Sequence, residues 1–144
     1  MTTRTIVCGV DGSPSGRAAV RLAASIAARF GARLVAVHVL DRLTTGSRTA
    51  ERVAAAILYD EVPDAGAEAR GEIGDVAERL AAVARREAAA MIVLGARSRG
   101  RSRSFSRTRC AAELAERTNV PIVVAPLQSA SAPTAIEAVA SGPA

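Results

Sequence analysis

The chain has no lysine and no tryptophan, and its only histidine is His38. With no second histidine there is no histidine-based metal site, and no triad can be assembled. His38 lies between valines in an apolar run, where it reads as a core residue and not as a base or ligand. No catalytic residue and no metal ligand is assigned. Aromatics are nearly absent, being only Phe30, Tyr59 and Phe105. That excludes a base-stacking platform for single-stranded nucleic acid and leaves the core to be packed from Ala, Val, Ile and Leu. The two cysteines, Cys8 and Cys110, have neither the number nor the spacing of a disulfide framework or a metal site, and both read as reduced thiols. Cys110 either packs in the core or, at the start of a helix among arginines, is poised toward thiolate. No apolar run nears the roughly 20 residues that cross a bilayer. The start, MTTRTIVCGVDGS, lacks the basic stretch, apolar run and small-residue site of an export signal. The expectation is a cytoplasmic chain with no membrane partner.

What is present is a chain of 144 residues, 49% of them hydrophobic, which is the size of one domain with a core of its own. The net charge of +5 is not spread evenly. Residues 97–109, RSRGRSRSFSRTR, carry six arginines and no acid, which leaves 13 arginines against 14 acids elsewhere. The body is neutral and one segment is basic. The absence of lysine and the abundance of alanine fit a genome-wide compositional bias as well as they fit a function.

Apolar runs alternate with helical periodicities. TIVCGV, from Thr5 to Val10, is a short buried strand. It runs into DGSP, where Ser13 can cap a helix and Pro14 can take its first turn. Ala19, Leu22, Ala23, Ile26, Ala27 and Phe30 recur at helical spacing, and Gly31 stands where a left-handed terminal residue belongs, so a helix is predicted over 14–30. Leu34 to Leu40 reads as a second strand and Thr49 to Leu58 as a helix. Glu68 to Ile73 alternates weakly, as an edge strand would, and Gly74 with Asp75 opens a helix to about Ala88. Ala90 to Leu94 forms a strand ended by Gly95. Beyond the arginine-rich segment, CAAELAERT is a helix and Pro121 to Ala125 a last strand. Residues 127–144 read as a flexible tail, which places the folded domain at 1–126.

Strands that are apolar on both faces and alternate with helices require a parallel sheet covered on both sides by right-handed crossovers, an α/β doubly wound architecture. In such sheets ligands bind beyond the carboxyl ends of the strands, where strand order reverses. The segments after Val10, Leu40 and Leu94 are therefore the ones to inspect.

The pieces IVCGVDGS, AVHVL, EIGDVAERLAAVA, MIVLGARSRG and NVPIVVAP, in this order and spacing, resemble the universal stress protein family over residues 4–126. The resemblance implies a five-stranded sheet of order 3-2-1-4-5 and homodimers joined through the last strand. It also implies, in one branch, ATP held between the first and fourth strands, with Mg only as a companion of ATP. Carried over residue by residue, Asp11 would face the ribose, Val39 the adenine, and Gly95 and Arg97 the start of the phosphate segment, with Val10 also among the cofactor-binding residues. The alternative for Asp11 is a cap on the first helix.

The ATP-binding branch has Gly, two residues, Gly, nine residues, Gly and Ser or Thr. Counting from Gly95, this chain has Ser98 at the second glycine, Thr108 at the third and Arg109 at the Ser or Thr. A Cβ where backbone must approach a phosphate costs on the order of 1 kcal/mol. Gly100 and the serine hydroxyls could form a looser anion nest, and Arg97 and Arg109 add charge. ATP binding is therefore expected to be weak or lost, in a dimeric interaction module of this fold. The alternatives are a competent ATP-binding stress protein with slow or no hydrolysis, and a nucleic-acid module built on the arginine-rich segment, for which a basic segment with Phe105 alone is thin support. That segment itself reads either as a solvated connector or as a mobile collar ordered by phosphate anions.

Overall fold

The computed structural model describes residues 3–40, 46–96 and 107–127, with residues 107–109 by their backbone alone. Strands and helices alternate through the chain: β1 (Thr5–Gly9), α1 (Pro14–Phe30), β2 (Arg33–Leu40), α2 (Ser47–Glu61), β3 (Glu68–Ile73), α3 (Val76–Arg86), β4 (Met91–Gly95), α4 (Arg107–Arg117) and β5 (Ile122–Ala125). All strand pairs are parallel and the sheet order is β3-β2-β1-β4-β5, as expected.

The pleat divides the core into two layers. Ile6 and Cys8 of β1, Ala36 of β2 and Val93 of β4 pack with Ala19, Ala23 and Ile26 of α1 and with Ala54 and Ile57 of α2. The alternate residues Val7, Val35, Val37, Ile92 and Leu94 pack with Leu80 and Val83 of α3 and Leu114 of α4 on the other face. Strand residues pointing to opposite faces and both finding helices is why β1, β2 and β4 read as continuous apolar runs. Small side chains allow the helices to approach closely. A Cβ on Gly71 of β3 would overlap the Ser47 carbonyl and the Glu51 amide of α2.

Local chemistry sets the ends of the elements. Ser13 is the N-cap of α1, its hydroxyl accepting from the Gly16 amide at 3.0 Å. Pro14 fills the first helical position, and Gly31 closes the helix at φ 62. Asp75 caps α3 by accepting from the Glu78 amide. α3 stops at Arg86, about a half-turn short of the expected end, because the chain leaves the helical region at Ala88, whose φ is +48. α4 begins at Arg107 and not at Cys110. Arg-Thr-Arg carries no apolar periodicity to announce it, yet its backbone can start the turn. Cys110 is 3% exposed and belongs to the core of that face, which is the packing reading of that thiol.

Ion pairs join elements across the surface. Arg17 of α1 reaches Glu61 of α2 at 2.9 Å and also the Gly12 carbonyl at 3.4 Å, while Arg21 reaches the same Glu61 at 2.5 Å. Burial pushes the Glu61 carboxyl up, but the hydrogen bonds from Arg17 and Arg21 outweigh it and hold the group below its ordinary value. Arg17 is raised in turn, chiefly by its bond to Glu61. At the opposite end of the sheet Arg33, Glu68, Arg70 and Glu87 close a ring of alternating charges.

A carboxylate whose folded pKa is depressed stabilises the fold above its unfolded value and loses that contribution as pH falls through the folded one. The substitution Glu61→Gln is therefore expected to lower stability at pH 7 by about 1 kcal/mol, two charge-assisted bonds at a partly exposed site. In urea titrations the gap from the parent should close as pH is taken below ~4, past the ordinary Glu value. An equal gap at both pH values would show that the carboxylate charge is not what joins α1 to α2.

Candidate functional site

β1 and β4 are neighbours in the sheet, but the helix after β1 covers one face and the helix after β4 covers the other. Their carboxyl ends therefore diverge into a crevice, the place where a doubly wound sheet accepts ligands. Four groups of described residues line this end: Val10 to Gly16 after β1, His38 to Leu40 at the end of β2, Gly95 and Ala96 at the end of β4, and Ala125 at the end of β5.

Gly12, at φ +79, turns the chain out of the sheet into α1. Asp11 does not cap the helix directly, which corrects that alternative. Its Oδ1 accepts from the Ser13 amide at 3.0 Å and from the Ser13 hydroxyl at 2.6 Å, so that Asp11 braces the residue that caps. Ser15, 2% exposed, brings its hydroxyl to 3.3 Å from that of Ser13. Gly16 makes room for this cluster, since a Cβ there would overlap the Asp11 carboxylate. Gly95 closes the arrangement from β4. A Cβ on it would stand 2.5 Å from the Ser15 carbonyl oxygen and 3.0 Å from the Gly16 amide nitrogen. Asp11 and Gly95 thus sit on either side of one turn, Ser15–Gly16, and position each other through it.

Three amides at the start of α1 are met within the turn. The Ser13 amide goes to Asp11, Pro14 has none, the Gly16 amide goes to the Ser13 hydroxyl, and the Arg17 amide returns to the Ser13 carbonyl at 2.9 Å.

The remaining expected residues divide clearly. Val10 is buried on the α1 and α2 face, and its amide donates to the Val37 carbonyl at 2.9 Å. Val39 is half-buried against the α3 and α4 face. Val10, Asp11, Val39 and Gly95 thus all belong to the carboxyl end of the sheet. Arg97, Ser98 and Gly100 lie outside the described residues, as do the rest of 97–106 and 128–144. Thr108 and Arg109 fall in the first turn of α4. Sequence reasoning missed Ser13 as the partner of Asp11, the spacing role of Gly16, and the contact of His38 with the Val10 carbonyl at 2.7 Å. A glycine near a helix start was the available signal for Gly16, because glycine is costly there unless packing requires it. Among the described residues, no three His, Cys, Asp or Glu side chains are grouped to hold a metal ion, and no helix is long and apolar enough to cross a membrane.

Comparison with known proteins agrees with this architecture. No curated protein sequence matches the chain. A universal stress protein solved in complex with cAMP is 25% identical, with a TM-score of 0.64 over 89% of this chain and 100% of its own. A universal stress protein family member from Burkholderia pseudomallei is 26% identical, with a TM-score of 0.59 over 83% of this chain and 93% of its own. The universal stress protein of Archaeoglobus fulgidus in complex with dAMP shares the fold at 21% identity, with a TM-score of 0.59 over 86% of this chain and 98% of its own. The family model described as the universal stress protein family matches residues 2–126, and the chain belongs to that family.

Proposed function

We propose that this protein is a dimeric, cytoplasmic stress-response module whose crevice retains the adenosine-binding half of a nucleotide site and grips phosphates weakly. The observation that carries this reading is the Asp11–Ser13–Gly16–Gly95 arrangement. Asp11 is held by two hydrogen bonds from Ser13 at the mouth of the β1–β4 crevice, and Gly95 sits directly across the Ser15–Gly16 turn. With Val10 and Val39 at the adjoining strand ends, these residues frame the space for a ribose and a base. Nucleotide complexes of fold relatives, one with cAMP and one with dAMP, support an adenine nucleotide as the ligand class.

The phosphate half is different in kind. Two of the positions where the ATP-binding branch has glycine carry Ser98 and Thr108, and its Ser or Thr is Arg109. A backbone cradle is replaced by arginine charge, from Arg97 and Arg109, which is screened over about 8 Å at physiological ionic strength. Mg would accompany ATP only. Phosphate anions in general, and not a nucleic acid, are the ligands that such a site takes.

Assembly follows from the two sheet edges. The β3 edge is guarded by charge, with Glu68, Arg70 and Glu72 all engaged in ion pairs. The β5 edge is apolar, with Val124 44% and Leu127 47% exposed. An exposed apolar edge pairs where a charged one does not, and the partner of the Pro121 to Ala125 strand is a second copy related by a two-fold axis. Sedimentation should give a dimer at tens of micromolar, and Val124→Arg should shift it to monomer. A monomeric parent protein would refute the assembly.

ATP is expected to bind with a Kd of about 10 µM or weaker, roughly −7 kcal/mol. Restoring the branch pattern with Ser98→Gly, Thr108→Gly and Arg109→Ser together should tighten it by about tenfold, or ~1.4 kcal/mol. Calorimetry giving nanomolar affinity for the parent chain would overturn the weak-phosphate reading.

A further inference from the structure

In a parallel pair of strands, rungs alternate in direction along the ladder. β1 and β2 run in register from Thr5 with Arg33 to Gly9 with Val37. The ladder then extends by one bond, from the Val10 amide to the Val37 carbonyl at 2.9 Å. The next rung of a regular ladder would run from the Val39 amide to the Val10 carbonyl. Among the described residues that rung is not made by the backbone. The Val10 carbonyl is taken by Nδ1 of His38, at 2.7 Å. A carbonyl can only accept, so Nδ1 carries the proton and donates.

Parity fixes where this leaves Val39. Residues of β2 whose main chain bonds to β1 recur every second position, and Val37 is one of them, so the N–H and C=O of Val39 also face the β1 side. β1 ends at Gly9, and Gly12 turns the chain away toward α1. The Val39 main chain is thus an open strand edge at the head of the crevice, beside a carbonyl that the His38 ring holds. His38 has space for this on the α1 and α2 face. Ala36, two residues earlier, packs on that face, and the register neighbour of His38 on β3 is Gly71, which has no side chain.

We propose that His38 is a positioning residue: its Nδ1–H holds the Val10 carbonyl in place of the Val39 amide and so keeps the Val39 main-chain edge available to a ligand. The ligand part rests on the adenine-nucleotide reading, since a purine edge presents a donor and an acceptor that match one N–H and one C=O. The structural part stands without it. Asparagine places a donor at the same distance from the backbone as Nδ1, whereas leucine fills the space and donates nothing, so the two substitutions separate the hydrogen bond from packing.

The test is amide hydrogen exchange by NMR on the whole protein, combined with calorimetric titration of AMP. In the parent chain the Val39 amide should exchange at least about tenfold faster than the Val37 amide, as an open edge does beside a closed rung. His38→Leu should slow Val39 exchange as its amide closes onto the freed carbonyl, and should weaken AMP by about tenfold, the scale of one hydrogen bond. His38→Asn should keep both values within about threefold of the parent, less than one such bond. Protection of Val39 equal to that of Val37 in the parent chain overturns the proposal, as does His38→Leu with AMP affinity unchanged. If the parent chain binds no AMP, the nucleotide reading falls and the ligand part falls with it, while the exchange rates still decide whether His38 holds the rung. If His38→Leu does not fold, the parent exchange rates and the His38→Asn titration decide alone.

Discussion

Gly95 and the Ser15 carbonyl approach each other more closely than any side chain would allow, and the geometry of the crevice depends on that approach. β4 ends directly against the first turn of α1. The turn is in turn fixed by the Ser13 hydroxyl, which caps the helix and donates to Asp11 in the same arrangement. Adding one methyl at Gly95 would force α1 outward, and adding one at Gly16 would displace the Asp11 carboxylate. Two strand ends, one helix start and one carboxylate are therefore positioned by the absence of two side chains. The Arg17 bond to the Gly12 carbonyl and the Arg17–Glu61–Arg21 group hold the outer side of the same turn.

On the reading proposed above, this economy concerns only one half of a nucleotide site. Asp11, Val10, Val39 and Gly95 all belong to the carboxyl end of the sheet, and their placement comes with the topology. The segment that the proposal assigns to phosphate carries Ser98, Thr108 and Arg109 at the positions compared with the ATP-binding branch. Backbone cradles give directional bonds that salt does not screen, and arginine charge gives attraction that salt does. On the proposed reading, a chain that changes one for the other would keep recognition of the base and sugar and give up tight retention of the triphosphate. That suits a module that senses nucleotides or phosphate anions more than one that stores ATP.

Much of this was legible in the sequence wherever a residue type has one strong local use. Ser13, Pro14 and Gly31 delimit α1 because a cap, a first-turn proline and a left-handed glycine each have a backbone reason to be there. The weak alternation of Glu68 to Ile73 located β3 and its edge position, since charges can alternate with small residues only where one side of a strand is free. What the sequence did not disclose depends on tertiary contact. His38 among valines reads as core, and only the register shows that its ring replaces a backbone rung. Asp11 reads as a cap or a ribose ligand, and only the folded structure shows it bound to Ser13. The start of α4 at Arg107 carries no apolar pattern at all.

The central claim is the division of the site into a retained adenosine half and a changed phosphate half, and the most direct measurement is an affinity series for adenosine, AMP, ADP and ATP by calorimetry at physiological salt. The account predicts that adenosine binds and that the three phosphates together improve affinity by no more than about tenfold, or ~1.4 kcal/mol. An ATP affinity more than about a hundredfold tighter than that of adenosine would contradict it.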